Sequence, residues 1–258
     1  MVLIDTHSHL FAEEFNSDRA DVLKKADDAG IKYHIMPNVD SSTTDQLLKV
    51  SKQHSQCFPL MGLHPTSVKA DFEREILHVE SMFKDNKFFG IGEIGIDLYW
   101  DKTHLEQQKI AFRHQLRLAK KLKLPVVIHS RNSFDEIFDV VDSELDSDLC
   151  GVFHCFTGSL EQYHHIKEYK TFKVGIGGVV TYKNGGIGNI LHEIELSDIL
   201  LETDSPYLSP VPVRGSRNES YNLIHIAIKV AEIYGLSVED IAKQTFINSQ
   251  ELFNLPIE

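Results

Sequence analysis

The chain has 258 residues, 42% of them hydrophobic and 25% charged, proportions that fit a globular protein with one large core or two small ones. Acidic side chains outnumber basic ones 38 to 26, for a net charge of −12. That excludes broad electrostatic capture of a polyanion, so any nucleic acid must be held by metal ions and a local basic rim.

The first residues, Met1-Val2-Leu3-Ile4-Asp5, lack a basic segment and meet an acid at once, so they do not read as a secretion signal. Residues 2–6 read as the first strand, and the extended segment through residue 10 carries Asp5-Thr6-His7-Ser8-His9. In an extended segment positions i and i+2 face the same side, so His7 and His9 aim two imidazoles at one point. Ser17 then caps a predicted helix over 18–29, with Gly30 as its stop. A second strand over 33–39 precedes a helix opened by Ser42-Thr43-Thr44. A third over 57–63 ends in His64-Pro65, and a helix over 72–83 follows. The fourth strand, 88–96, carries Gly92-Glu93-Ile94-Gly95-Ile96-Asp97.

Thr103 with Glu106, and Ser133 with Glu136, read as capping boxes on either side of a fifth strand, 125–129, which ends in His129. A sixth strand, 151–154, ends in His154 and leads to a third box, Ser159 with Gln162. The seventh, 172–176, ends in Gly177-Gly178, and a short helix over 187–194 follows. The eighth, 199–203, ends in Asp204, and helices over 223–234 and 238–253 close the chain. No linker or repeat interrupts this alternation, so residues 1–258 read as a single domain, and no run of about 18 apolar residues offers a membrane span. Cys57, Cys150 and Cys155 lie in apolar segments without CxxC spacing. Read as reduced thiols, they place the chain in the cytoplasm.

The eight strand-like runs are apolar without alternation, the pattern of strands covered on both faces. Eight such units point to an α/β protein with a TIM-type (β/α)8 barrel, ahead of a doubly wound open sheet. Polar residues gather at the C-terminal strand ends: His7 and His9, His64, Glu93, His129, His154 and Asp204. Burying any of them singly costs several kcal/mol, so they need partners. In a barrel they converge on one mouth, and imidazoles and carboxylates converging there make a binuclear divalent-metal site.

Asp5-Thr6-His7-Ser8-His9, Gly62-Leu63-His64-Pro65, Gly92-Glu93-Ile94-Gly95-Ile96-Asp97, Pro125-Val126-Val127-Ile128-His129, His154-Cys155-Phe156-Thr157-Gly158 and Glu202-Thr203-Asp204-Ser205-Pro206 occur in this order, followed by the segment 210–219. Together they resemble the TatD family of metal-dependent deoxyribonucleases, within the amidohydrolase-like metal-dependent hydrolases. The likeness spans essentially the whole chain, and its last two motifs are specific in combination. Ser220 departs from it, because the family commonly has proline after Asn-Glu. The resemblance implies a barrel that hydrolyses DNA phosphodiesters, often as a 3′→5′ exonuclease on single strands or 3′ ends. It also implies a ligand set: His7, His9 and Asp204 on one metal, His129 and His154 on the second, and Glu93 bridging both.

The expected chemistry is two-metal hydrolysis, with ions about 3.5–4 Å apart sharing a water and lowering its pKa. Asp204 accepts that water's proton, and His64 contacts the phosphate or donates a proton. Arg131, Arg214 and Arg217 are candidate phosphate clamps, since guanidinium forks suit phosphate oxygens. Tyr99, Trp100, Phe156 and Tyr207 are candidate stacking partners for bases. The cofactor expected is two divalent ions drawn from Zn, Mg and Mn. The alternative keeps the site and changes the substrate to that of an amidase, lactonase or phosphotriesterase. Those barrels often bridge their metals with a carboxylated lysine on strand four, where this chain has Glu93. DNA is the expected partner, with no membrane and no obligatory protein partner, and a monomer is the default.

Overall fold

Eight short parallel strands alternate with nine helices through residues 1–257, the residues that the computed structural model describes. The strands are β1 (Leu3–Asp5), β2 (Ile31–Pro37), β3 (Cys57–Leu60), β4 (Ile91–Asp97), β5 (Val126–Arg131), β6 (Gly151–Phe153), β7 (Phe172–Ile176) and β8 (Ile199–Leu201). The helices are α1 (Arg19–Asp28), α2 (Ser41–Gln53), α3 (Phe72–Met82), α4 (Leu105–Leu122), α5 (Phe134–Glu144), α6 (Leu160–Glu168), α7 (Ile187–Ile190), α8 (Leu223–Tyr234) and α9 (Val238–Phe253). Among the described residues, none of these helices is long and apolar enough to cross a membrane.

Strands pair in chain order as two arcs, β1 to β3 and β4 to β8. Individual backbone hydrogen bonds close the ring. Phe89 N–H donates to Pro59 O at 3.0 Å and Gly92 N–H to Met61 O at 3.2 Å, joining the third strand to the fourth. Thr6 N–H donates to Leu201 O at 3.0 Å and Asp204 N–H to His7 O at 2.9 Å, joining the eighth to the first. The result is the TIM-type (β/α)8 barrel that the apolar runs predict. Ile4, Ile35, Phe58, Leu60, Val127, Val152 and Leu200 form one apolar cluster. They come from six different strands around the ring, so they meet across its interior and fill it. A larger layer lies between strands and helices, where α4 turns Phe112, Leu116 and Ala119 fully inward. Burial of the two larger side chains contributes roughly 1.5–3 kcal/mol each.

Several local expectations are corrected. The capping residue of α2 is Asp40, ahead of Ser42. Its carboxylate accepts from Ser42 N–H at 3.0 Å, and Thr43 Oγ1 accepts from Asp40 N–H at 3.2 Å. Ser17 does not cap α1, which begins at Arg19 after Asp18. The Thr103–Glu106 box does not form, because Thr103 N–H is taken by Asp101 at 2.8 Å. Ser133 precedes α5 but makes no cap. Its hydroxyl donates to Ile96 O at 2.6 Å and accepts from Arg131 N–H at 3.1 Å, which locks the ends of β4 and β5 together. Only the Ser159–Gln162 box forms as read. Strands 1, 2, 3, 6 and 8 also stop short of their predicted ends, where single backbone hydrogen bonds replace the regular pairing. Cys155 and Asp204 take φ of 46° and 57° there.

Gly95 sits between Glu93 and the β5 partner strand at φ 138°, and a β-carbon on it would lie 2.1 Å from His129 O. Gly95→Ala is therefore expected to push β4 from β5 and to lower stability by about 3 kcal/mol in urea unfolding. A midpoint equal to that of the parent protein would show that the two strands can part without cost.

Candidate metal centre

Three buried side chains fix the backbone beneath the mouth. Asp5 accepts from Thr203 N–H at 2.9 Å and from Thr203 Oγ1–H at 2.7 Å, tying the end of β1 to the segment after β8. Burial pushes its carboxyl up to about 7 despite these bonds. Asn218 Nδ2 donates to Thr203 O at 2.8 Å and to Tyr207 O at 2.7 Å, which holds the loop that carries Asp204. Asn38 Nδ2 donates to Asp40 O and Gly62 O, and Asn38 O accepts from Glu93 N–H at 3.0 Å.

On this base the strand-end groups converge on Glu93, whose side chain is 3% exposed. Its Oε2 lies 3.2 Å from His7 Nε2 and 3.7 Å from His9 Nε2. Its Oε1 lies 2.7 Å from His129 Nδ1, 2.9 Å from His154 Nε2 and 3.3 Å from His64 Nε2. The two oxygens thus face two separate groups of imidazoles. Asp204 Oδ1 joins the first group, 3.4 Å from His9 Nε2 and 3.7 Å from His7 Nε2. His7 and His9 bring their Nε2 atoms within 3.3 Å of each other, so the i, i+2 reading of the pair holds although β1 ends at Asp5. His7, His9 and Asp204 together are spaced to hold a metal ion, and so are His64, Glu93 and His129.

Ionisation in the cluster follows from these contacts. Burial resists the charge on Glu93, but His154, His64 and His7 outweigh it and hold the carboxyl well below its usual range. Burial also disfavours the cations of His129 and His154. For His129, hydrogen bonds with Asp97 and Glu93 overcome it; for His154, the charges of Glu93 and Glu202 do, and both imidazoles are raised. Burial wins at His7 and His64, which are lowered and stay neutral at pH 7. At His7, kept neutral by burial, an imidazole lone pair and the ionised Glu93 carboxylate would repel at 3.2 Å unless a proton or a cation lies between them. The donor set is therefore one that a divalent cation fits.

Two acids that strand-end reasoning left out complete the arrangement. Asp97 Oδ2 accepts from His129 Nε2–H at 2.9 Å, which turns Nδ1 toward Glu93. Glu202 Oε1 lies 3.4 Å from His154 Nδ1 and accepts from Cys155 N–H at 2.5 Å. Gly175 gives this carboxylate room, since a β-carbon there would be 2.2 Å from Glu202 Oε2. Histidines that bind metals are commonly held from behind by carboxylates in this way. Both acids stand inside motifs visible in the chain, at or next to the end of their own strand, and that position is the only signal that could have found them.

His64 takes a different part from the other imidazoles. Its Nδ1 accepts from Thr66 N–H at 3.1 Å. A backbone N–H can only donate, so the proton of the neutral ring sits on Nε2, the atom 3.3 Å from Glu93 Oε1. His64 is thus a hydrogen-bond donor in the mouth.

The arginine and aromatic expectations divide. Arg217 is not available as a phosphate clamp: its guanidinium pairs with both Asp18 oxygens at 2.6 and 3.0 Å and with Glu219 at 3.1 Å. Asp18 serves this pair instead of a helix cap. Arg131 and Arg214 are exposed and lie over aromatic rings, Arg131 at 3.8 Å from the centre of Tyr99 and Arg214 at 4.2 Å from that of Tyr182. Phe156 is buried against Phe134 and cannot stack a base, whereas Tyr207 is 53% exposed beside His9.

A sequence profile of the family described as TatD related DNase matches residues 4–254. The chain is 31% identical over 255 residues to YabD of Bacillus subtilis, described as an uncharacterized metal-dependent hydrolase, with 98% of this chain and 100% of that protein covered. It is 30% identical over 260 residues to a protein of Erwinia tasmaniensis named 3′-5′ ssDNA/RNA exonuclease TatD, covering 98% of this chain and 100% of that one. The solved structure of YjjV, a TatD homolog from Escherichia coli, superposes with a TM-score of 0.91 at 28% identity, over 98% of both chains.

Nitrogen-15 spectra of the histidine rings are expected to show His64 as a neutral imidazole protonated on Nε2 at pH 7. A signal from the Nδ1–H form would contradict its assignment as a donor.

Proposed function

This chain belongs to the TatD family of metal-dependent hydrolases, and we propose that it hydrolyses DNA phosphodiesters from single-stranded 3′ ends with two divalent ions. The observation that carries this reading is the division of surroundings at Glu93, one oxygen toward His7 and His9, the other toward His64, His129 and His154. His7, His9 and Asp204 would hold one ion, His129 and His154 the other, with Glu93 between them. When bound, the ions supply charge neutralisation at the phosphate and acidify water. Imidazole-rich donors suit zinc or manganese, and phosphodiester chemistry suits magnesium or manganese. The name of the Erwinia tasmaniensis relative, an exonuclease on single-stranded DNA and RNA, supports the substrate and the direction.

In this reading Asp204 takes the proton of the attacking water. Its side chain is 14% exposed against 3% for Glu93, so it reaches the mouth while Glu93 stays enclosed by imidazoles. Burial opposes its charge, but the hydrogen bond with His9 and the charge of His154 keep it ionised at neutral pH. His64 offers Nε2–H to a phosphoryl oxygen in place of Glu93. Arg131 and Arg214 make no side-chain hydrogen bond to protein among the described residues and present their N–H edges to neighbouring phosphates.

Metal analysis is expected to find two ions per chain and to lose one when His129 and His154 are both changed to alanine. Full cleavage of 3′-labelled single-stranded DNA by that double variant would sink the two-metal proposal. Asp204→Asn is expected to lower kcat by about a hundredfold or more, within the usual range for a general base, with a much smaller change in oligonucleotide Kd. Equal losses in both would reduce Asp204 to a ligand or a structural residue.

A further inference from the structure

The turn after β4 leaves two large aromatic side chains in solvent. Trp100 is 70% exposed and Tyr99 54%, and Trp100 is the chain's single tryptophan. The turn beneath them is firmly built. Asp97 Oδ1 accepts from the backbone N–H groups of Tyr99 and Trp100 at 2.9 and 3.3 Å. Asp97 is itself 2% exposed. Gln108 of α4 holds its backbone from both sides, accepting from Asp97 N–H at 2.9 Å and donating to Asp97 O at 3.3 Å. The two rings stand edge to face, 4.9 Å apart at 88°. From β5, two residues beyond His129, the Arg131 guanidinium lies 3.8 Å from the centre of Tyr99 and 5.3 Å from that of Trp100. Stacking engages the face of a guanidinium and leaves its N–H edge for an anion.

We propose that Trp100, Tyr99 and Arg131 form a nucleotide subsite. An unpaired base stacks on the exposed face of Trp100, and Arg131 takes a phosphate of the same strand. A base inside a duplex has both faces covered by its neighbours, so this subsite selects an unpaired end. The inference rests on the nuclease reading above and narrows its substrate to strands with a free base close to the bond that is cut. Asp97 is the positioning residue of the subsite. One of its oxygens shapes the Tyr99–Trp100 turn and the other holds the His129 ring, so the stacking platform and the metal centre share one rigid support.

The unique tryptophan reports on the subsite directly. A phosphorothioate single-stranded oligonucleotide, which resists cleavage, added to the metal-loaded protein is expected to quench Trp100 fluorescence. An abasic strand of equal length is expected to quench it far less. Trp100→Ala is expected to raise KM for the unmodified oligonucleotide by about ten- to a hundredfold, the usual contribution of one stacked base, with a much smaller effect on kcat. Trp100→Phe should restore most of the loss. Equal quenching by the two strands, or a parental KM in Trp100→Ala while oligonucleotides are still cut, would overturn the subsite and leave the nuclease reading standing. A parent protein that neither binds nor cuts the oligonucleotide would overturn that reading, and the subsite with it.

Discussion

Glu93 is a carboxylate withdrawn almost completely from water and still ionised, a state that imidazoles on every side make possible. A lone buried charge costs several kcal/mol, and the cost falls only as partners of opposite sign or cations approach. The strand ends of the barrel supply those partners because a closed parallel ring points all its C-terminal ends at one mouth. The hydrogen bonds that close the ring, Thr6 to Leu201 and Gly92 to Met61, flank the segments that carry His7 and Glu93. The contacts that close the fold thus also bring the residues of the centre together.

Around this carboxylate lies a second layer of acids, and each positions a neighbour. Asp97 orients His129, Glu202 faces the back of His154, and Asp5 joins the backbone of β1 to Thr203 just before Asp204. The layer raises the negative charge near the mouth, which suits cations and repels phosphates. In a chain of net charge −12, the attraction for an anionic strand that we propose is therefore local. Arg131 and Arg214 would supply it, since their guanidinium groups lie over Tyr99 and Tyr182 instead of being neutralised by carboxylates. Arg217 marks the contrast, since Asp18 and Glu219 satisfy it.

Much was legible from local pattern. Eight apolar runs, the β7 segment and the two closing helices follow from hydrophobic period and length, which neighbouring residues determine by themselves. The convergence of His7 and His9 follows from two-residue spacing alone. Capping is less legible, because Thr103 and Ser133 have the right residue three positions on but other groups compete for their bonds. The strand-end acids Asp97 and Glu202 lie within the Gly92–Asp97 and Glu202–Pro206 motifs, yet nothing local distinguishes an acid that orients a histidine from one that faces solvent.

The sequence by itself determined the barrel's alternation and the kinds of side chain that reach its mouth, since both are written in short-range order. Tertiary structure decided how those side chains divide their work. Which oxygen of Glu93 meets which imidazole, which nitrogen of His64 keeps its proton, and which arginine stays unpaired all depend on contacts across the ring. The Glu93–His129 pair spans 36 residues, Glu202–Cys155 47 and Asp18–Arg217 199. Separations of that size carry no periodic signal. Only the folded ring, by bringing distant strand ends within hydrogen-bond distance, lets desolvation and charge select among them.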